Sequence, residues 1–486
     1  ATGAMLLPGC HLSEAPDSFL TSKDFYQNKE QCLAALNSCY IPLRSIFKFT
    51  YLFVTEGTSD LMWCASGTVD AQLAMTPARP LFGQTMWTQV YKGVVYCNEA
   101  IEGIKSSPIP DEDKTQLLGE GMVMRAYYYY FLTSTFGDVP FYTEDVSDLE
   151  ALNRVSRLGR MPADATREYL INELLDIVPK MKQERTFEAD KHRSGAAMGW
   201  MLIAKMAAWN KQWEVVRDAC LELEKLYGPL AQYDYADVQF RNKNTPESIF
   251  EVQHTYASTG LQVTTNIAAV CMPTRRSGTT LFDGVDIPEW GNETTTWTAL
   301  RPNAYFFQSM QTEFGTDKRF AYNLAVEYNG VRFATANTRP WLGPKFWCPG
   351  MKNTLDGNNM KVFRYADAVL LLAEAYMELN DNDKAIARLN EIKARAEITL
   401  YGAFVSKDML FEEIMKERAR ELFGEFNRKY DLVRWGIWYR QTYDYSDYAS
   451  IQKNIMPCHE YYPIPDKEVV YSGYNLDNDE YTKYGL

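Results

Sequence analysis

The chain has 486 residues, 46% of them hydrophobic and 23% charged, a globular balance that excludes a fibre or a wholly disordered chain. With 50 Lys and Arg against 63 Asp and Glu, the formal net charge is -13. No long Lys/Arg run offsets it, so nucleic acid is excluded as an expected partner. The aromatic content is high, at 32 Tyr, 24 Phe and 11 Trp, and supplies large flat surfaces for a core, an interface or a ligand.

Length alone points to about three domain-sized units. The pattern along the chain points instead to one unit over 11–486. Near the start, Leu6-Leu7-Pro8-Gly9-Cys10 resembles the end of a bacterial lipoprotein signal, whose Cys is lipidated. No apolar stretch reaches the roughly 18 residues a membrane span needs.

Helical spacing of Phe25, Leu33, Leu36 and Tyr40 predicts a first helix, limited by Pro42. Residues 51–83 read as irregular. Helices are predicted over 85–104, 112–135, 166–181, 194–209 and 213–226, and an alternating strand over 247–254. From 255 to 360 helical periodicity largely disappears and Gly, Thr, Asn, Pro and Trp dominate. Within that stretch Asn329-Gly330 predicts a type I′ hairpin over 321–335. Helices resume over 363–379, 382–397 and 407–423, and the Tyr- and Asp-rich tail from 440 reads as mostly irregular.

Two helix pairs share one signature. Leu372, Ala373, Tyr376, Ala385 and Leu389 fall at tetratricopeptide-like spacings, and so do Ala204, Ala207, Trp213, Val216 and Cys220. The fold class is therefore mainly α: a helix-pair scaffold, mainly 20–240 and 361–436, with minor β-hairpins and a loop-rich, ligand-binding insertion of about 241–360. That insertion separates the two copies, so the repeats are expected not to be stacked back to back.

The chemistry expected of an enzyme is sparse. The four His residues, His11, His192, His254 and His459, have no metal-ligand spacing. There is no P-loop, no GxGxxG and no GxSxG elbow. The nine Cys residues are scattered, without a CxxC pair, and the internal ones read as small buried hydrophobes. Glu417, Glu421 and Glu425 recur every four residues beside Arg418, Arg420, Arg428 and Asp431, which reads as a structural ion-pair network rather than a catalytic array. No catalytic residue, metal or cofactor is assigned.

The Trp residues divide. Trp87, Trp200, Trp209, Trp213 and Trp435 sit in helical patterns and read as core. Trp63, Trp290, Trp297, Trp341 and Trp347 sit in polar, irregular segments, where an indole pins a loop or offers its face to a sugar ring. With Asp60, Arg79, Asn292 and Asn303 nearby to orient hydroxyls, they form the candidate ligand site.

These segments resemble the SusD/RagB family of surface glycan-binding lipoproteins. The resemblance rests on Cys10 with Phe25-Tyr26 and Ala34 to Tyr40, and on Gly119 to Tyr127 leading to Phe136-Gly137-Asp138-Val139-Pro140. It continues in Phe363 to Ala375, Glu417 to Glu425, Tyr430 to Gly436, and Tyr462-Pro463-Ile464-Pro465. Glu120, Arg125, Asp367 and Asp431 match its framework positions. The resemblance implies four tetratricopeptide-like units and no catalysis. It implies a lipid anchor at Cys10, the extracellular face of a bacterial outer membrane, and a SusC-like TonB-dependent transporter as partner. The expected function is oligosaccharide capture for that transporter. The alternatives are peptide or protein capture on the same scaffold, and a glycosidase using a carboxylate pair.

Overall fold

The computed structural model describes residues 25–65, 68, 70–256, 262–312, 316–338 and 340–486. Cys10 lies outside the described residues. Ten helices form the scaffold: α1 (Lys29–Ser38), α2 (Phe82–Ser106), α3 (Asp111–Thr135), α4 (Ala163–Ile177), α5 (Ala196–Trp209), α6 (Trp213–Tyr227), α7 (Tyr365–Glu378), α8 (Asn382–Arg395), α9 (Lys407–Glu421) and α10 (Arg428–Arg434). Each predicted helix lies within a few residues of one of these. The fold is mainly α, with short antiparallel strand pairs.

Local chemistry sets the central helix. Asp111, Glu112 and Asp113 place negative charge at the positive end of α3. From Gly119 onward most of its side chains are buried, because α2 covers one side and α4 and α5 another. The approach of α2 is close: a Cβ on Gly93 would sit 2.2 Å from the Tyr128 ring. Any larger residue there would push the two helices apart.

The expectation that the repeats are not back to back is overturned. Although 137 residues separate α6 from α7 in sequence, the two helices pack directly on each other. The pairs α5–α6 and α7–α8 thus stack as neighbours, with α9 against the last pair. The insertion loops out from one side, so the apolar faces of both pairs still bury against each other.

Three further expectations change. The 363–379 helix begins later, at Tyr365, because Met360–Arg364 is a strand paired antiparallel with Ser248–Val252. The hairpin over 321–335 shrinks to Glu327–Tyr328 against Val331–Arg332. Asn329 and Gly330 both take the positive φ a type I′ turn requires, while Leu324–Ala325 pairs elsewhere, with Trp341–Leu342. Residues 51–83 and the tail are not irregular throughout. Helices occur at Phe49–Thr55, Trp438–Tyr445, Ala449–Asn454 and Asp466–Tyr471.

The insertion has a hydrophobic core of its own, built by Trp290, Trp341 and Trp347 with Met272, Phe282, Ile287 and Phe333. Between it and the repeats lies a buried ion-pair network. Arg364 bonds Glu247, Glu421 and Glu425 at 2.9, 2.6 and 2.7 Å. Arg319 reaches Asp317, Glu417 and Glu421, and Arg395 bonds Glu247 and Glu421. Burial alone would raise the Glu421 carboxyl. Arg395, Arg364 and Arg319 outweigh it and hold the group far below the usual carboxylate range. The structural reading of the Glu417–Glu425 array matches this arrangement.

Candidate functional site

A cleft of about 490 Å³ opens where the insertion meets the scaffold, a volume within the range of small-ligand sites. Its floor begins with two strands. Met62–Cys64 pairs antiparallel with Leu300–Pro302, and the register puts Trp63 directly opposite Arg301. Side chains opposed in this way share one face of the ladder, so both enter the cleft. The Trp63 indole is half-buried, 5.5 Å from the Tyr448 ring and inclined 31° to it.

The helix Ala304–Thr312 supplies the second wall. Ala304, Phe307, Gln308 and Gln311 line the cleft at i, i+3, i+4 and i+7, one face of the helix. Its start is fixed by neighbours: the Ala304 amide donates to Asp447 Oδ2 at 2.6 Å, and the Asp447 amide donates to Asn303 Oδ1 at 3.0 Å. Asn303 Nδ2 in turn donates to the Ser59 carbonyl. One buried asparagine therefore ties the strand, the helix and the tail together. Asn337, Thr338 and Pro340 close the far side.

Arg301 is held flat. Its guanidinium carbon lies 3.6 Å from the Trp341 ring centroid, and Trp341 Nε1 donates to Asp283 Oδ2 at 2.8 Å. Asp283 also accepts from the amide and hydroxyl of Thr335. The cleft thus combines a half-exposed indole, a fixed planar guanidinium, three side-chain amides, a hydroxyl and a carboxylate. Such a set suits a ligand with one apolar face and a rim of hydroxyls.

The predicted site residues do not all come together. Trp63 lines the cleft, and Trp341 backs it from behind Arg301. Trp290 and Trp347 are buried against each other, with centroids 4.6 Å apart, and expose no face to a ligand. Their polar sequence surroundings conceal a core that forms only between distant segments. Asp60 is buried and accepts from Arg428 Nε and Nη2 at 2.8 and 2.6 Å, an ion pair that locks α10. Arg79 is exposed on a turn closed with Thr76, and Asn292 is exposed with its carbonyl bonded by Arg275; neither lines the cleft. Trp297 is 45% exposed but packs edge-on against Phe49, also outside the cleft. Sequence reasoning missed Arg301, Phe307, Gln308, Asp447 and Tyr448. The spacing of 304, 307, 308 and 311 was the available signal.

Among the described residues, no group of three or more His, Cys, Asp or Glu could hold a metal ion. Among the described cysteines, Cys32, Cys39, Cys97, Cys220, Cys271 and Cys458 are buried free thiols, Cys348 is a half-buried one, and Cys64 is buried. Fold and cleft define a ligand-binding protein on a stacked helix-pair scaffold.

Comparison with known proteins sharpens that class. The model of the SusD family matches residues 290–481, and a model described as starch-binding associating with outer membrane matches 63–168, together more than half of the chain. The chain belongs to the SusD/RagB family of outer-membrane glycan-binding proteins, whose members are non-catalytic. It is 23% identical over 510 residues to SusD-like protein P25 of Formosa agariphila, covering 96% of this chain and 94% of that protein. It is 30% identical over 118 residues to the starch-binding protein SusD of Bacteroides thetaiotaomicron, covering 24% of this chain and 20% of that one. Surface glycan-binding protein A from Bacteroides thetaiotaomicron, solved with laminarihexaose, superposes with a TM-score of 0.71 at 18% identity, covering 93% of this chain and 99% of that chain.

Proposed function

We propose that this protein captures oligosaccharides at the outer face of the outer membrane, holds them in the Trp63–Arg301 cleft, and passes them to a SusC-like TonB-dependent transporter. The observation that carries this reading is the half-exposed Trp63 indole set opposite a guanidinium fixed flat on Trp341. Stacking on the indole positions a pyranose ring, and Gln308, Gln311, Asn337 and Asp447 select among hydroxyl patterns. The glycan-binding relatives support the same class of ligand. Cys10 is the proposed lipid anchor.

Titration calorimetry against a glycan panel that includes laminarihexaose tests the reading. Binding of at least one glycan is expected, and Trp63→Ala should weaken it roughly 30-fold, the loss of about 2 kcal/mol typical of a stacking anchor. Binding of peptides with no response to any glycan would replace this reading with peptide capture. Labelled fatty acid should enter the full-length lipoprotein in cells and be lost in Cys10→Ser. A TonB-dependent transporter should co-purify with it.

A further inference from the structure

Two motifs that the cleft does not use meet elsewhere in the molecule. The turn Phe136-Gly137-Asp138 after α3 lies against the closing segment Tyr461-Tyr462-Pro463-Ile464, joined by the Tyr462 amide donating to the Thr135 carbonyl at 2.7 Å. Between them is a second cavity of about 400 Å³. None of its lining residues belongs to the Trp63 cleft.

Its walls are held from behind. Tyr481 is buried and its hydroxyl donates to the Tyr461 carbonyl at 2.6 Å. Asn478 exchanges two bonds with the Ile464 backbone, both 2.8 Å. Arg160 Nε donates to the Asp138 carbonyl at 2.9 Å while Nη1 reaches Glu480 at 3.1 Å. The rim is open: Tyr484 is 44% exposed and Lys483 is exposed beside it. The cavity therefore offers aromatic surface at Tyr461 and Tyr484, with acceptors at Glu460 and donors at Lys483.

The charge balance selects the ligand class. The lining charges nearly cancel, with Asp138, Glu460 and Glu480 against Arg160 and Lys483 and with Arg160 paired to Glu480, so a strongly charged ligand of either sign gains little. A neutral ligand with an apolar face and several hydroxyls suits this lining, and the volume accommodates a mono- or disaccharide unit. We propose that this cavity is a second, independent carbohydrate site for a short neutral sugar. It rests on the capture reading only in the class of ligand.

The test uses the full chain, ligand-observed NMR, and maltose, cellobiose and laminaribiose as probes. At least one disaccharide should bind the Trp63→Ala protein, and Tyr484→Ala combined with Lys483→Ala should weaken that binding at least fivefold. Both side chains are at the surface, so the fold is retained, and unchanged laminarihexaose binding by the double variant checks it. The proposal is overturned if no disaccharide binds the Trp63→Ala protein, or if the double variant binds disaccharide like its parent. Failure of the capture reading looks different: Trp63→Ala would then bind laminarihexaose as well as the parent does.

Discussion

Arg301 lies over Trp341 with its guanidinium carbon 3.6 Å from the ring centroid, and so presents one flat face to the cleft. A stack of this kind contributes about 0.5–2 kcal/mol and depends on the planar guanidinium. Arg301→Lys keeps the charge but loses the plane. It is predicted to weaken oligosaccharide binding by about 2- to 30-fold, because the flat donor fork facing the ligand is lost, and to lower stability by no more than the stack's own contribution of about 0.5–2 kcal/mol. Calorimetry on the two proteins measures the first effect and thermal melting the second.

Trp63 and Trp290 should respond in opposite ways to removal. Trp290 is enclosed by Phe282, Trp347 and Tyr328, at 4.6, 4.6 and 5.3 Å between centroids. Trp290→Ala leaves a large cavity in the insertion core and should cost about 3–5 kcal/mol of stability. Trp63→Ala removes a half-exposed ring and should cost binding far more than stability. Urea denaturation alongside titration separates the two. Parental stability in Trp290→Ala together with lost binding would return Trp290 to the ligand site.

The contrast between these two indoles shows what a sequence carries. Helices such as α3 and α7 were legible because their apolar and small residues repeat at the helical period, which is local information. The role of Glu417, Glu421 and Glu425 was legible for the same reason, since i,i+4 spacing near arginines predicts bridges. The burial of Trp290 and Trp347 was not. Trp290 stands beside the exposed Pro288 and Glu289 and Trp347 in an irregular Gly- and Pro-marked stretch, and the surfaces that cover them arrive from segments far away in sequence. Asp60 misled in the same way, because its partner Arg428 is 368 residues distant. The pairing of Trp63 with Arg301 is equally non-local, so the cleft is a product of tertiary packing.

Glu421 sits between three arginines in the buried network, accepting from Arg319 and Arg364 at 3.0 and 2.6 Å and from Arg395. Removing one member of a buried pair strands the charge of the others. Glu421→Ala is therefore predicted to destabilise the fold by about 3–5 kcal/mol, read as a lower urea midpoint. The effects of Glu421→Ala and Arg395→Ala should fall short of additive in the double variant, because both break the same bridge. Strict additivity would show that the bridge contributes nothing.

Two buried histidines weaken the fold on the acid side. Burial pushes His254 down to about 4 despite its bond to the Val252 carbonyl, and burial with the neighbouring Lys429 does the same to His459. An unfolded histidine titrates near 6.5. Between about pH 6.5 and 4 each of these two imidazoles therefore binds a proton more readily in the unfolded chain, so each lowers stability as the pH falls through this window, while buried Glu56, held up to about 8, acts in the opposite direction. Each residue contributes at most about 3 kcal/mol to that loss. His254→Gln retains a donor for the Val252 carbonyl but cannot take up the proton. Its unfolding free energy should drop less steeply from pH 6.5 to 4 than that of the parent, by the equivalent of nearly one proton, while the two differ little in slope above pH 7. Urea titrations at four or five pH values measure both slopes, and identical slopes in the acid window would rule out His254 as a contributor.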